Sequence, residues 1–249
     1  MSMGPSLTKL TGLDKLVEFA QMRAVLVAGA TGATGSALVN QLLADDHYDV
    51  VHLLSRRTTH WRDHEKVIEH ILPLSRIVDL TVRSPIAEIY CCLGTTLKKA
   101  GSQAAFRAVD LDAVVALGRW GKNHGVETMH AISSIGADPT SRSFYLRTKG
   151  EMEQALSAFG LPGLYLYRPS VLVGERGERR VREGIGARVL TAFDWLPGSD
   201  SWSPIPVKQL ASLMHTLGRE NRPGRHRIGS GQIQRHERSE RDITATSNG

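Results

Sequence analysis

Cysteine is scarce here: the 249 residues contain two, and they are neighbours, Cys91 and Cys92. A bridge between adjacent cysteines strains the peptide that joins them, so a disulfide framework is excluded and a reducing compartment fits. The plain reading of the pair is two small strand residues; a vicinal redox switch is the alternative. Long apolar runs are missing as well. No stretch approaches the roughly 18 residues of a membrane span. Residues 1–22 lack the unbroken apolar core of a signal peptide and read as an extension outside the main fold, with an amphipathic stretch over 7–19. A cytoplasmic location and the lack of a membrane span are the resulting expectations.

Aromatic residues are also sparse, at 6%, and nothing interleaves them with the basic ones. That matters because the chain is basic, with a formal charge of +6 and a pI near 9.5. The lysines and arginines are spread along the chain and form no recognisable nucleic-acid module, so no nucleic-acid partner is expected. An anionic small ligand accounts for the charge equally well. The run after Gly229 is polar and rich in Arg and Glu, and residues 232–249 read as a flexible tail.

What is present is an alternation. β-branched apolar runs at 24–28, 50–54, 67–71, 88–93, 128–133 and 164–168 read as strands. Helical patterns fall at 35–44, 102–123 and 144–159 between them. Strand–helix alternation predicts a doubly wound, Rossmann-like α/β fold: a parallel sheet with helices on both faces. Pro73 and Pro85 make 64–88 a loop region or a degenerate crossover. Residues 174–205 read as a small C-terminal substrate subregion within a single domain, 23–231.

The most informative stretch is AVLVAGATGATGSALVNQLL, residues 24–43. An apolar strand runs into a Gly-x-x-Gly-x-x-Gly turn and then a helix. In a βαβ unit, the free N–H groups and dipole at that helix start favour an anion, and a pyrophosphate can approach only where side chains are missing. Gly29 suits the tight turn, Gly32 the close approach and Gly35 the packing of helix on strand. The end of the second strand, HLLSRRTT, lacks the acid that would accept from an adenosine ribose. It offers Ser55, Arg56 and Arg57 instead. A guanidinium matches a phosphate bidentately, so NADP(H) is expected over NAD(H).

Downstream, ISSIGADPTSRSFYLRTKGE ends a strand with Ser133 and Ser134 and starts a helix carrying Tyr145 and Lys149, four apart on one face. A phenol with a free pKa of ~10 is a poor base at neutral pH, and a nearby ammonium lowers that value. A serine hydroxyl can hold a carbonyl or hydroxyl oxygen. Ser133 and Ser134 stand 12 and 11 residues before Tyr145, and spacing does not choose between them.

These segments, with CCLGTTLKKAGSQAAFRAVD and YRPSVLVGER, are similar to the atypical, NAD(P)-binding members of the short-chain dehydrogenase/reductase superfamily, in its Tat-interacting-protein-like oxidoreductase branch. The resemblance covers about residues 23–231. It implies that Gly29, Gly32 and Gly35 line the pyrophosphate, with Thr31, Ala33 and Thr34 of the same loop as cofactor contacts, and that Arg56, alone or with Arg57, meets the 2′-phosphate, with Ser55 a cofactor contact beside them. It implies that Leu93, Gly94 and Thr95 run beside the cofactor, with Pro169 and Ser170 near the nicotinamide. Tyr145 would be the proton donor. Lys149 would bind the ribose and tune Tyr145. The implied activity is NADP(H)-dependent reduction of a small carbonyl, or oxidation of the alcohol. An NADPH-sensing binding protein with little turnover, acting through a homodimer or another protein partner, is one alternative. A nucleotide-sugar epimerase or dehydratase is the other, against which the short chain counts.

Other features carry less. His60 and His64 lie four apart but outside any His-Glu-x-x-His pattern, so no metal site is expected. Arg176, Arg179, Arg180 and Arg182 read either as an anionic-substrate clamp or as a charged helix face. Phe193, Trp195 and Trp202 read as core or as a pocket cap.

Overall fold

The computed structural model describes residues 22–174 and 203–236. Seven parallel strands form one sheet in the order β3-β2-β1-β4-β5-β6-β9. They are β1 (Ala24–Ala28), β2 (Val50–Ser55), β3 (Val67–Ile71), β4 (Ile86–Cys91), β5 (Thr128–Ile132), β6 (Gly163–Arg168) and β9 (Gly224–Gly229). The order reverses direction beside β1, the switch point where doubly wound sheets bind ligands. A short parallel pair, β7 (Leu172–Val173) and β8 (Ile205–Pro206), stands apart from the sheet.

Each strand is buried on both faces where the sheet is central; all five residues of β1 are inaccessible. That is why the sequence shows continuous apolar runs rather than alternation. On one face, Leu26, Ile89 and Met129 pack with Val114 and Leu117 of α4 (Ala113–Asn123) and with Met152 and Leu156 of α5 (Phe144–Ala158). On the other, Val25, Val27 and Tyr165 pack with Leu38 and Leu42 of α1 (Ala33–Ala44) and with Leu210 and Met214 of α6 (Val207–Glu220).

The predicted fold is present, with four corrections. The β4 strand ends at Cys91 rather than Leu93, which frees Leu93–Thr95 as a loop. The single helix expected over 102–123 is two: α3 (Gln103–Arg107) and α4, joined by a π turn at Ala108–Asp112. A short helix, α2 (Leu97–Ala100), precedes them, capped by the Thr96 hydroxyl on the Lys99 N–H. A helix over 230–236 also spans the start of the tail expected from residue 232: Ile233 is fully buried, and its carbonyl accepts from Gln209 Nε2 at 2.8 Å. The amphipathic stretch 7–19, the four arginines 176–182 and the aromatics 193–202 lie outside the described residues.

Candidate active site

A cleft of about 490 Å³ opens at the C-terminal ends of β1, β2 and β4. Its floor is the glycine loop. Gly29 has φ +87°, a conformation that L side chains rarely adopt, and a Cβ there would sit 2.6 Å from the Cys92 carbonyl carbon. At Gly35 a Cβ would collide with the Gly29 carbonyl, so this glycine sets how closely α1 meets β1. Gly32 is exposed, and a Cβ there would only press on Gly29 O at 3.3 Å. The helix α1 starts at this point with no side-chain cap and no acid in its first turn. The positive end of its dipole, next to Gly32 on the cleft lining, is therefore not offset by a side chain.

The cleft walls come from Thr31, Leu54, Ser55, Arg56, Leu93, Gly94, Thr95 and Lys99, among others. Arg56 is exposed and lines the opening, while Arg57 is exposed and does not. The Ser55 hydroxyl donates to the Arg57 carbonyl at 2.6 Å, so it shapes the turn that presents Arg56. By their place after the fourth strand, Lys98 and Lys99 read either as phosphate contacts or as a solvated basic loop; Lys99 lines the cleft and Lys98 does not. Ala33 and Thr34 belong to the first turn of α1; Ala33 is exposed and Thr34 buried.

Beyond the cleft lie the candidate groups Lys149 and Tyr145. Lys149 is buried, and its Nζ stands 2.8 Å from Asp110 Oδ1 and 3.2 Å from the Ile132 carbonyl. Burial, the largest single influence, acts to strip its proton, but the Asp110 carboxylate, together with Tyr145 and Cys91, holds the ammonium above the ordinary lysine value. Tyr145, one turn earlier on α5, is half-buried, with its ring against buried Phe106 at 5.8 Å. Asp110 escaped the sequence reading. A readable signal existed: it is an acid three and seven residues ahead of Ala113 and Leu117, which belong to a buried helix stripe.

The two serines separate. Ser133 Oγ donates to Glu153 Oε1 at 2.6 Å, and Arg168 grips the same carboxylate through Nε at 2.8 Å and Nη2 at 2.6 Å. Ser134 is tied only to the carbonyl of its neighbour Ile135, at 3.2 Å. Gly150 lets the 135–139 loop lie on α5, because a Cβ there would strike Asp138 and Pro139 backbone. The Pro169 carbonyl accepts from Ile135 N–H at 3.0 Å, and Ser170 Oγ donates to Ser203 O at 2.6 Å. Pro169 and Ser170 thus brace the loops around the far end of the site.

Residues 60–64 form turns rather than a helix. The His60 ring lies tilted against Trp61 with centroids 3.8 Å apart, and His64 Nδ1 accepts from Lys66 N–H at 3.2 Å. Among the described residues, no group of three or more His, Cys, Asp or Glu could hold a metal ion. Burial pushes the Cys91 thiol up to about 11 and raises Cys92 further, which leaves neither as the low-pKa thiolate that a redox switch needs.

A parallel sheet with its glycine loop at the switch point, beside a Tyr-x-x-x-Lys helix, defines a dinucleotide-binding protein of the short-chain dehydrogenase/reductase type. The profile of the NAD dependent epimerase/dehydratase family matches residues 25–193, and the chain belongs to that family. Among curated proteins, it is 34% identical to the mitochondrial protein FMP52 of Coccidioides immitis over 197 residues, 73% of this chain and 80% of that one. It is 31% identical to the rat protein HTATIP2 over 200 residues, 78% of this chain and 80% of that one. These relatives bear out the Tat-interacting-protein-like branch. Solved structures with the same fold include MoeE5 in complex with UDP-glucuronic acid and NAD. It has TM-score 0.62 and 22% identity, covering 83% of this chain and 76% of that one. A dTDP-4-dehydrorhamnose reductase from Bacillus anthracis in complex with NADP has TM-score 0.57 and 15% identity, covering 84% and 75%. In this chain, the bare α1 start and the cradle at Gly29, Gly32 and Gly35 fit a dinucleotide pyrophosphate.

Proposed function

We propose that the protein is an NADP(H)-dependent oxidoreductase that reduces a small carbonyl compound or oxidises the matching alcohol. The observation that carries this reading is the buried Lys149 ammonium one helical turn from Tyr145, linked through Asp110 to Thr95 on the cleft wall. The bound nicotinamide supplies or accepts the hydride. The protein's own groups handle the proton and the orientation. Tyr145 would give its hydroxyl proton to the substrate oxygen, and the Lys149 ammonium favours the phenolate left behind. Ser134 would hold that same oxygen, since the Ser133 hydroxyl is engaged by Glu153. Pro169 and Ser170 would border the nicotinamide end.

The NADP(H) preference is supported by Arg56 and Lys99 on the cleft wall and by the lack of an acid at the end of β2. Both cations would attract a 2′-phosphate that an acid would repel. The test is a panel of carbonyl, alcohol and nucleotide-sugar compounds followed by nicotinamide absorbance, with Tyr145→Phe alongside. Turnover of a small carbonyl that fails in Tyr145→Phe supports the reading. Turnover confined to nucleotide sugars overturns the substrate class in favour of an epimerase or dehydratase. For location, the mitochondrial naming of the fungal relatives weighs against the cytoplasmic expectation.

A further inference from the structure

The π turn at Ala108–Asp112 inserts an extra residue between α3 and α4 and turns Asp110 into the interior, where it is 1% exposed. Such turns cost helix regularity and are frequent at functional sites. The buried carboxylate makes two contacts in different directions. Oδ1 meets the Lys149 ammonium at 2.8 Å, and Oδ2 accepts from the Thr95 N–H at 2.8 Å. Thr95 belongs to the 93–95 loop on the cleft wall; Lys149 belongs to the Tyr-x-x-x-Lys helix. One side chain therefore bridges the cofactor loop and the chemical end of the site.

We infer that Asp110 is a positioning residue that fixes the spacing between the cofactor loop and Lys149 and keeps that buried lysine charged. The inference rests on the reading of Lys149 as the group that meets the nicotinamide ribose. The groups facing the ammonium are few. From the π turn there is Asp110, from α5 Tyr145, from β4 the Cys91 thiol, and from β5 the neutral Ile132 carbonyl. Of these, only Asp110 carries a negative charge at neutral pH and touches Nζ. Without it, a lysine so deeply buried would shed its proton readily.

The experiment is Asp110→Asn, which keeps the shape and an acceptor for Thr95 but removes the charge. The Lys149 Cε resonance, assigned by its loss in Lys149→Arg, is followed against pH in the cofactor-free protein. NADPH affinity is measured by fluorescence over the same range. In Asp110→Asn, the lysine titration should move down by about one pH unit or more. The loss of NADPH affinity should grow as pH rises, whereas a merely structural role would weaken binding by one factor at every pH. An unchanged lysine titration overturns the inference. If Asp110→Asn does not fold, the double variant Asp110→Asn/Lys149→Met should melt above either single variant, because it leaves no lone buried charge. A double variant as unstable as the two losses added together overturns it equally. Failure of the wild type to bind NADP(H) would refute the proposed function, while the lysine titration would still decide the role of Asp110.

Discussion

The hydroxyl of Ser133 is held by a carboxylate: it donates to Glu153 Oε1 at 2.6 Å, one turn beyond Lys149 on the same helix. Glu153 is itself held by Arg168, so strand β6, helix α5 and the end of β5 are pinned at one point. The pairing divides the Ser-Ser dipeptide into a scaffold residue and a candidate substrate ligand.

Ser133→Ala should therefore act on stability. Losing a buried hydrogen bond to a charged group costs about 1.5–3 kcal/mol. Turnover per folded molecule should stay near wild type. Ser134→Ala should do the reverse, leaving the melting curve nearly unmoved while turnover falls by roughly 10²–10³, the scale of one lost preorganised donor. Denaturant titration and steady-state kinetics on both variants check the assignment, and interchanged results would refute it.

Cofactor choice should follow Arg56 more than Arg57, because only Arg56 lines the cleft. A charge-assisted contact of about 1.5–3 kcal/mol corresponds to a preference for NADPH of roughly ten- to a hundredfold. Arg56→Ala should erase most of that preference with little effect on NADH, whereas Arg57→Ala should change the ratio much less. Fluorescence titration with both cofactors reads this directly. Equal affinities in the wild type would sink the claim.

The two inner glycines should fail in different ways. Gly32→Val should leave a folded protein that no longer binds dinucleotide, since Gly32 is exposed and its added side chain would fill the pyrophosphate's place. Gly35→Ala should damage the fold itself, because the new methyl group would collide with the Gly29 backbone. Circular dichroism paired with calorimetry separates the outcomes. A folded Gly32→Val with wild-type affinity would show that the loop holds something else.

Tyr145→Phe removes one hydroxyl and keeps the ring against Phe106. Cofactor affinity should stay near wild type while turnover falls by about 10²–10⁴, the usual size of a proton-transfer contribution. A wild-type rate in this variant would move the proton to another residue.

Acid should weaken the fold through two histidines. Burial lowers His52 to about 4 and His130 to about 3. His52 is hydrogen-bonded to His70 at 2.9 Å and Ser84 at 2.8 Å; His130 is stacked between Tyr90 and Tyr165. Both are depressed from the ordinary 6.5, so the unfolded chain binds protons that the folded one refuses. The stabilisation is whole above pH 6.5 and is lost as pH falls through that value towards the folded ones. At pH 5 each residue should cost about 2 kcal/mol. Urea midpoints at pH 7 and pH 5 test this, and His52→Asn should flatten the slope.

The sequence by itself determined the sheet, the glycine loop and the Tyr-x-x-x-Lys helix, because each is written in local terms. A strand buried on both faces needs an unbroken apolar run, a turn at φ +87° needs glycine, and two residues four apart share a helix face. The C-terminal α6 had the same local legibility, with Val207, Leu210, Ala211 and Met214 at helical spacing. Strand β9, which reads GRHRIG, did not: it is an edge strand with half its residues exposed and one buried, so no apolar pattern marks it. What only the tertiary structure decided concerns partners far apart in the chain. Ser133 differs from Ser134 because Glu153 lies 20 residues away on a packed helix. Arg56 differs from Arg57 because a turn aims only one of them at the cleft. Asp110 reaches Lys149 because a π turn rotates it inward. Local propensity depends on neighbours within a few residues, whereas the state of a buried hydroxyl or charge depends on which distant group the fold sets within about 3 Å of it.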